Sequence, residues 1–484
     1  MVTRSAVMLA ALTTKTSAFL FPFSAGGRCI RTPSIALSTR VNRLLAVGTE
    51  VQAPPEISPE VVGDAASVKS PFLQTLVERG FYHQCTDVEG LDEKLSSGEV
   101  VKAYLGFDAT ADSLHVGSLL QIMILRHLQK AGHKPIVLVG GGTTKVGDPS
   151  GKDESRQLLD EASIQRNIDG LSSVFSKFLT FGDGSTDAQL VNNDTWLSKI
   201  SYLHFLREYG PHFTINRMMT YDSVRLRLER EQPLTFLEFN YMLLQAYDFT
   251  ELYRRYGCIL QMGGSDQWGN MVNGVDLGRR IEKAELFALT APLITTSEGK
   301  KMGKSASGAI WLNADKLPAY DYWQFWRNTN DADVIRFLKL FTELTKDEIG
   351  QLEQLKGVEI NKAKIVLADE ATKMLHGEAC LSEIHQTVDQ IFVGGVGGSN
   401  AALPRARITS AEAAAGISVI EMFLRLDLAK TKSEVRRLIK GGGAKLNDEK
   451  IADENLVVAR PTFDSKGELK LSSGKKKHGI IFIE

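Results

Sequence analysis

Val100-Val101-Lys102-Ala103-Tyr104-Leu105-Gly106-Phe107 reads as a strand, and the residues after it decide the fold. From Leu114 to Lys130 apolar residues recur at Val116, Leu119, Leu120, Ile122, Met123, Leu125 and Leu128. This spacing predicts a helix largely covered by protein, with Asp112 or Ser113 as its cap. Pro135-Ile136-Val137-Leu138-Val139 is a short continuous apolar run, as expected of a parallel strand buried on both faces. Strand, helix and strand at this length make a βαβ unit, so the fold class is α/β with a doubly wound parallel sheet. Such sheets bind ligands beyond the carboxyl ends of their strands. Tyr104 and Asp108, at the end of the first strand, should therefore share a crevice with Gly140 to Asp148, just past the second.

Two short stretches carry phosphate chemistry. Leu114-His115-Val116-Gly117-Ser118 offers a histidine and a close-approach glycine where the helix begins, and Lys301-Met302-Gly303-Lys304-Ser305 offers two lysines and a hydroxyl on a glycine-bearing loop. Either alone could be a chance His-x-Gly or a solvated turn; their order, with the segments between them, makes the pair a far more specific signal, that of a device for handling ATP phosphates. In Phe236 to Phe249, Tyr241, Gln245 and Asp248 fall within roughly 60° of one another on a helix, a polar stripe through an otherwise aromatic face. A buried polar group left unpaired costs about 1–3 kcal/mol, so the stripe needs internal partners or a polar ligand. Gly263-Gly264-Ser265-Asp266-Gln267-Trp268-Gly269-Asn270 follows an expected strand, Cys258 to Met262. Its glycines admit close backbone approach, while Asp266 and Gln267 suit sugar hydroxyls and an amino acid. Gly147-Asp148-Pro149-Ser150-Gly151-Lys152 adds a carboxylate, with Lys152 and Arg156 in reach of phosphates.

Composition bounds the rest. At 484 residues and 43% hydrophobic content the chain can hold about three domains. The balance of 57 Lys+Arg against 58 Asp+Glu excludes a globally basic nucleic-acid coat, so any RNA contact must be local. Cys29, Cys85, Cys258 and Cys380 are scattered singly, which fits a reducing compartment and argues against structural zinc. No apolar run reaches the ~18 residues of a bilayer span, so no membrane partner is expected. The first 49 residues contain no Asp or Glu but carry Arg4, Lys15, Arg28, Arg31, Arg40 and Arg43 among many Ser, Thr and Ala. That is the composition of an organellar transit segment. The apolar Ala6 to Leu12 followed by Thr16-Ser17-Ala18-Phe19 resembles the signal-plus-transit leaders of algae with secondary plastids.

These readings divide the chain into a leader and disordered segment (1–65), a catalytic α/β domain (66–319), a helical domain (320–392), a linker (393–416) and a small α+β terminal module (417–484). The linker follows from Val393-Gly394-Gly395-Val396-Gly397-Gly398-Ser399-Asn400. In the terminal module Lys430, Lys432, Arg436, Arg437 and Lys440 surround a short helix with Ser433 as its expected cap. A hairpin-like Leu446-Asn447-Asp448-Glu449-Lys450-Ile451 follows, and Lys475, Lys476 and Lys477 add a second basic patch. Such charges suit RNA phosphates.

From about residue 70 onward the chain resembles the bacterial-type tyrosyl-tRNA synthetases, class I aminoacyl-tRNA synthetases with a Rossmann-like catalytic domain. His115-Val116-Gly117-Ser118 resembles that family's HIGH signature and Lys301-Met302-Gly303-Lys304-Ser305 its KMSKS loop. Gly106-Phe107-Asp108, Gly147 to Gly151, Tyr241 to Asp248 and Gly263 to Asn270 match family blocks in order. The resemblance implies tyrosine activation by ATP, with Mg²⁺ accompanying pyrophosphate and no dedicated metal cage, followed by transfer to tRNA(Tyr). It implies that Tyr104 and Asp248 bind the substrate phenol, that Asp148, Tyr241 and Gln245 bind the α-ammonium, and that Gln267 and Asn193 support them. Asp266 and Gly264 would face the ribose. Asp108, Thr110, Gly106, Gly117, Ser118 and Ser305 would surround the nucleotide, and His115, Thr110, Lys301 and Lys304, with Lys152 and Arg156, would stabilise the transition state. The terminal module resembles a small RNA-binding domain shared with a ribosomal protein, and the family implies a homodimer.

Ser118 departs from the signature's second histidine. Gly303 replaces the loop's first serine, a change that keeps both lysines and bears on loop flexibility. Two rival readings are a splicing cofactor that keeps only basic surface and a tryptophan-specific synthetase. Intact His115, Asp148, Asp248, Lys301 and Lys304 oppose the first, and the Tyr104–Asp248 pair, which suits a phenol better than an indole, opposes the second.

Overall fold

The structure, a computed structural model, describes residues 59–150, 159–299, 301–305, 308–393, 403–474 and 477–484. Its centre is a six-stranded sheet in the order β1-β6-β5-β2-β3-β4. The strands are β1 (Gln84–Cys85), β2 (Lys102–Phe107), β3 (Lys134–Val139), β4 (Gln189–Asn192), β5 (Leu260–Gly264) and β6 (Phe287–Ala291). All neighbours are parallel except β1, which runs antiparallel along β6. From β2 the chain winds outward through β3 and β4, then returns to place β5 on the other side of β2. This reversal opens a crevice at the carboxyl ends of β2 and β5, as expected of a doubly wound sheet.

The strand period of two explains the layering. Along β2, Ala103, Leu105 and Phe107 enter one hydrophobic core, while Tyr104 enters the core on the opposite face with Ile136 and Leu138 of β3. The first core is covered by the helix Val116–Lys130, and the second by the helices Tyr241–Tyr256 and Trp268–Glu282, which pack on each other. Gly257 ends the Tyr241–Tyr256 helix at φ 66°, its N–H bonded to the carbonyls of Leu252 and Tyr253, a left-handed cap that glycine adopts at little cost.

Two expected helix caps are corrected. His115, not Asp112 or Ser113, caps the helix Val116–Lys130, its ring nitrogen Nδ1 accepting the Gly117 N–H at 3.0 Å. Asp112 instead pairs with Lys316 at 2.8 Å, and the Ser113 hydroxyl donates to Asn313 at 2.6 Å. In the terminal module Thr431, not Ser433, caps the helix Lys432–Lys440. Thr431 has the extended backbone from which a side-chain oxygen reaches back to the Glu434 N–H, whereas Ser433 is already inside the helix.

After the central sheet come helices at Ala319–Arg327, Val334–Phe341, Lys346–Glu353, Ile360–His376 and Ala379–Val393. The last sheet has five strands, built from Arg405–Ile408, Ala444–Leu446, Glu449–Lys450, Glu468–Ser473 and Lys477–Ile483. Its first strand, Arg405–Ile408, pairs in parallel with Lys477–Ile483, so the stretch expected as linker up to 416 already contains part of this sheet. Asn447 and Asp448 turn the Ala444–Leu446 and Glu449–Lys450 hairpin at φ 45° and 70°. Both positive angles are those of a two-residue type I′ turn, which Asn and Asp tolerate. Among the described residues no helix is long and apolar enough to cross a membrane.

Candidate active site

A cavity of about 460 Å³ lies at the crevice. Tyr104, Gly106, Asp108 and Thr110 line it from β2 and the turn beyond, and His115 and Ser118 from the start of the following helix. Asp148, Asn193, Tyr241, Gln245, Asp248, Asp266 and Gln267 complete its wall. Segments separated by more than a hundred residues in sequence thus converge on one space. Gly264 ends β5 beside the lining residue Gly263, and Gly117 lies inside the His115 cap. Lys301 lines a neighbouring cavity of about 610 Å³ behind the loop. Lys304 and Ser305 form a short strand paired with Gly308–Ala309. Lys152, Arg156, Lys475 and Lys476 lie outside the described residues. Lys430, Lys432, Arg436, Arg437, Lys440 and Lys477 are exposed on the terminal module and do not line the 460 Å³ cavity, but Lys477 lines the 610 Å³ cavity together with Lys301.

The deep end is built around Asp248. Its side chain is 2% exposed and accepts from Asn193 Nδ2 at 2.8 Å and from Trp196 Nε1 at 2.7 Å. Burial pushes its carboxyl up to about 7, against the pull of those two donors. The Tyr104 hydroxyl, also lining the cavity, is buried with no hydrogen-bond partner. Burial, with the Asp248 carboxylate nearby, holds this phenol well above its ordinary range. A buried polar atom without a partner is costly; here it faces a cavity in which a ligand can supply one.

Above this floor the polar stripe is wired together. Asn270, buried at the head of the helix Trp268–Glu282, donates to Gln245 Oε1 at 3.2 Å and Gln267 Oε1 at 3.1 Å. Gln267 Nε2 donates to Asp148 at 2.9 Å. The Tyr241 hydroxyl donates to Asp108 at 3.2 Å, as does the Thr143 hydroxyl at 3.1 Å. Asp108, Asp148, Asp248 and Asp266 bring four carboxyl groups into the lining of the cavity; among the described residues no cluster of three or more acidic, His or Cys side chains is arranged to hold a metal ion. Burial first, and then the Asp148 charge, raises the Asp266 carboxyl, while Lys301 opposes the shift.

Trp196, Asn270 and Thr143 hydrogen-bond residues of the cavity and are not among the residues expected from the sequence. Asn270 ends the glycine-bearing segment Gly263 to Asn270. Trp196 follows Asn193 by three residues, one helical turn on, so the proximity of an indole donor to the stripe's carboxylate was the available signal.

The His115–Ser118 and Lys301–Ser305 segments touch. Gly303 has φ +102°, and a Cβ there would sit 2.8 Å from His115 Nδ1 and 2.9 Å from the Gly117 nitrogen. A Cβ on Gly117 would meet the Met302 carbonyl at 2.9 Å. The Val116 N–H donates to the Ile310 carbonyl at 2.9 Å, and the Ile310 N–H to the Gly303 carbonyl at 3.1 Å. Glycine at 303 is therefore a backbone and packing requirement of this arrangement, beyond the loop flexibility expected from sequence. Because His115 Nδ1 accepts a hydrogen bond, the neutral ring carries its proton on Nε2.

The family of class I tRNA synthetases for tryptophan and tyrosine matches residues 96–393. The chain is 59% identical over 417 residues to a tyrosine–tRNA ligase of Caulobacter vibrioides, covering 86% of this chain and 99% of the relative. The chain belongs to the tyrosyl-tRNA synthetase family. The Rhodospirillum rubrum tyrosine–tRNA ligase is 57% identical over 415 residues, covering 86% of this chain and 98% of that one. Among solved structures, a C-terminally truncated mitochondrial tyrosyl-tRNA synthetase of Aspergillus nidulans superposes with a TM-score of 0.59 at 31% identity, over 67% of this chain and 95% of its own.

Restoring a side chain at the loop's departure tests this contact. Gly303→Ala is expected to slow tyrosyl-adenylate formation by about tenfold or more, as small misplacements near reacting atoms do, with tyrosine affinity within about twofold of wild type by equilibrium binding. An unchanged adenylate rate would show that the glycine contact has no catalytic weight.

Proposed function

We propose that this synthetase binds L-tyrosine with its phenol between Tyr104 and Asp248. The unpartnered, buried Tyr104 hydroxyl beside the Asp248 carboxylate carries this reading. A phenol can donate its proton to Asp248 while its oxygen accepts from Tyr104, whereas an indole N–H offers no acceptor for Tyr104. Asp148, Tyr241 and Gln245 hold the α-ammonium, supported by Gln267 and Asn193. Asp266 and Gly264 face the ribose, and Gly106, Asp108, Gly117, Ser118 and Ser305 surround the nucleotide.

The substrates are tyrosine, ATP and tRNA, with Mg²⁺ entering as part of MgATP. One tyrosine carboxylate oxygen attacks the α-phosphorus in line. The bond to the bridging oxygen breaks, and pyrophosphate departs with its electron pair. No protein nucleophile is needed; catalysis is positioning plus charge placed where negative charge develops. His115 Nε2–H, Thr110, Lys301 and Lys304 supply it, assisted by Lys152 and Arg156. A terminal ribose hydroxyl of tRNA(Tyr) then attacks the tyrosyl carbonyl and AMP leaves.

Lys430, Lys432, Arg436, Arg437, Lys440, Lys475, Lys476 and Lys477 contact tRNA phosphates. A homodimer would cover exposed apolar side chains between residues 202 and 237, where Tyr202, Leu203, Ile215 and Phe236 are 58–77% exposed. Light scattering that finds a monomer at micromolar concentration would remove that part of the proposal. The work of the enzyme is assigned to organellar protein synthesis, in plastid stroma or mitochondrial matrix, on the acid-free basic leader. A reporter fused to residues 1–65 that stays outside both organelles would reject it.

Tyrosine-dependent pyrophosphate exchange is the direct test of the pocket, with tryptophan and phenylalanine giving at most trace rates. Asp248→Ala should abolish tyrosine-dependent exchange while ATP affinity persists. The acceptor form of Asp248 is its ionised form, and its raised value of about 7 in the empty pocket means protonation competes with tyrosine below that pH. Tyrosine affinity should weaken as pH falls below about 7 and level off above it, and Asp248→Asn should flatten the profile. The combined Arg436→Ala, Arg437→Ala and Lys440→Ala variant should raise the KM for tRNA and reduce its salt dependence, leaving pyrophosphate exchange intact; equal loss of both activities would argue for a folding defect instead.

A further inference from the structure

We propose that Asp333 is a positioning residue for Lys301, through a latch between the catalytic loop and the helix Val334–Phe341. The inference rests on the reading of Lys301 as a transition-state cation. Lys301 lies on a small hairpin: Thr295 pairs with it in antiparallel fashion, and the Met302 N–H donates to the Ile294 carbonyl at 3.3 Å. The tip turns through Gly299 at φ 76°, whose N–H donates to Thr296.

Asp333 grips this tip. Its carboxylate, 2% exposed, accepts the Ser297 N–H at 3.0 Å and 2.9 Å and the Ser297 hydroxyl at 2.9 Å. Arg336, one turn along, donates to Asp333 at 2.8 Å and also to the Thr295 carbonyl. Asn330 donates to Glu298 at 3.2 Å. Asp333 occupies the N-cap position of Val334–Phe341, yet its side chain makes no capping bond to that helix. An aspartate at that position ordinarily accepts from its own helix; this one is committed to the hairpin.

The other end of the helix is fixed to the element that carries His115. Arg126, on the helix that His115 caps, holds Glu343 with two bonds of 2.6 and 3.0 Å, and Lys130 joins at 3.0 Å. Arg79 donates to the carbonyls of Lys339, Thr342 and Leu344. The helices Val334–Phe341 and Val116–Lys130 also pack directly on each other. One rigid strut therefore references the lysine hairpin to the histidine helix, and Asp333 is its joint on the hairpin side.

A double-mutant cycle separates positioning from mere support. Single-turnover adenylate formation is measured for wild type, Asp333→Ala, Lys301→Ala and the double variant, with Ser297→Ala as a milder cut. Asp333→Ala should slow the step about 10- to 100-fold, the scale of a small misplacement, and Ser297→Ala about threefold, with tyrosine affinity within about twofold. In the Lys301→Ala background Asp333→Ala should cost less than about twofold, because the group it positions is gone. A full penalty in both backgrounds, a loss of tyrosine affinity matching the loss of rate, or wild-type rates in both single variants would overturn the latch. Should Asp333→Ala fail to fold, Asp333→Asn, which keeps one acceptor oxygen, takes its place in the cycle under the same criteria. A wild-type protein unable to form adenylate would overturn the functional reading, and the latch with it.

Discussion

The pairing of β2 with β5 is the constraint on which the rest depends. Ala103 lies opposite Leu260 and Tyr104 opposite Gln261, and at this seam the winding of the sheet reverses. Connections on the two sides leave in different directions, so the carboxyl ends cannot be covered by a single crossover. The cavity follows from topology before any side chain is specified. Strand alternation then decides what enters it: Tyr104 is turned to the face of the Tyr241–Tyr256 helix while its neighbours feed the opposite core. A one-residue slip in β2 would exchange these faces and remove the phenol from the pocket.

The floor of that pocket shows how burial and hydrogen bonding compete. Desolvation raises the Asp248 carboxyl, and the donors on Asn193 and Trp196 hold it in range for ionisation near neutrality. The Arg255 guanidinium lies 5.3 Å from the centre of the Trp196 ring, and Arg255 is itself ion-paired with Glu251 at 2.6 Å. Orientation of the acceptor is thus relayed outward through an aromatic ring to an ion pair between the exposed Arg255 and the buried Glu251. A site built to hydrogen-bond a hydroxyl rejects a ligand lacking one because its own groups would stay buried and unpaired.

Much of this was legible in the sequence, for physical reasons that differ by element. The buried strands announced themselves because parallel strands need apolar residues on both faces, and Tyr241, Gln245 and Asp248 because helical spacing projects them together. Caps were harder. Asp112 and Ser113 have side chains suited to the role, but the capping acceptor is a histidine ring nitrogen, a use that propensity does not anticipate. Thr431 displaced Ser433 through a shift of two residues, within the range in which helix ends are poorly marked. Trp196 and Asn270 were missed because their importance lies in whom they touch, which depends on tertiary packing. Gly303 was visible as a departure; only its positive φ and the nearby Gly117 nitrogen explain it.

The cap formed by His115 has one further consequence. Its Nδ1 caps a helix and leaves the proton on Nε2, so the ring that begins the helix would, in the proposed role of His115, serve folding and reaction through opposite edges. Protonating Nδ1 would break the bond to the Gly117 N–H while adding charge to the ring. The helix start therefore acts as a tautomer lock: as long as the first turn is formed, the donor edge of the imidazole is specified by the backbone itself. The geometry of an ordinary secondary-structure boundary thereby sets which ring nitrogen can donate.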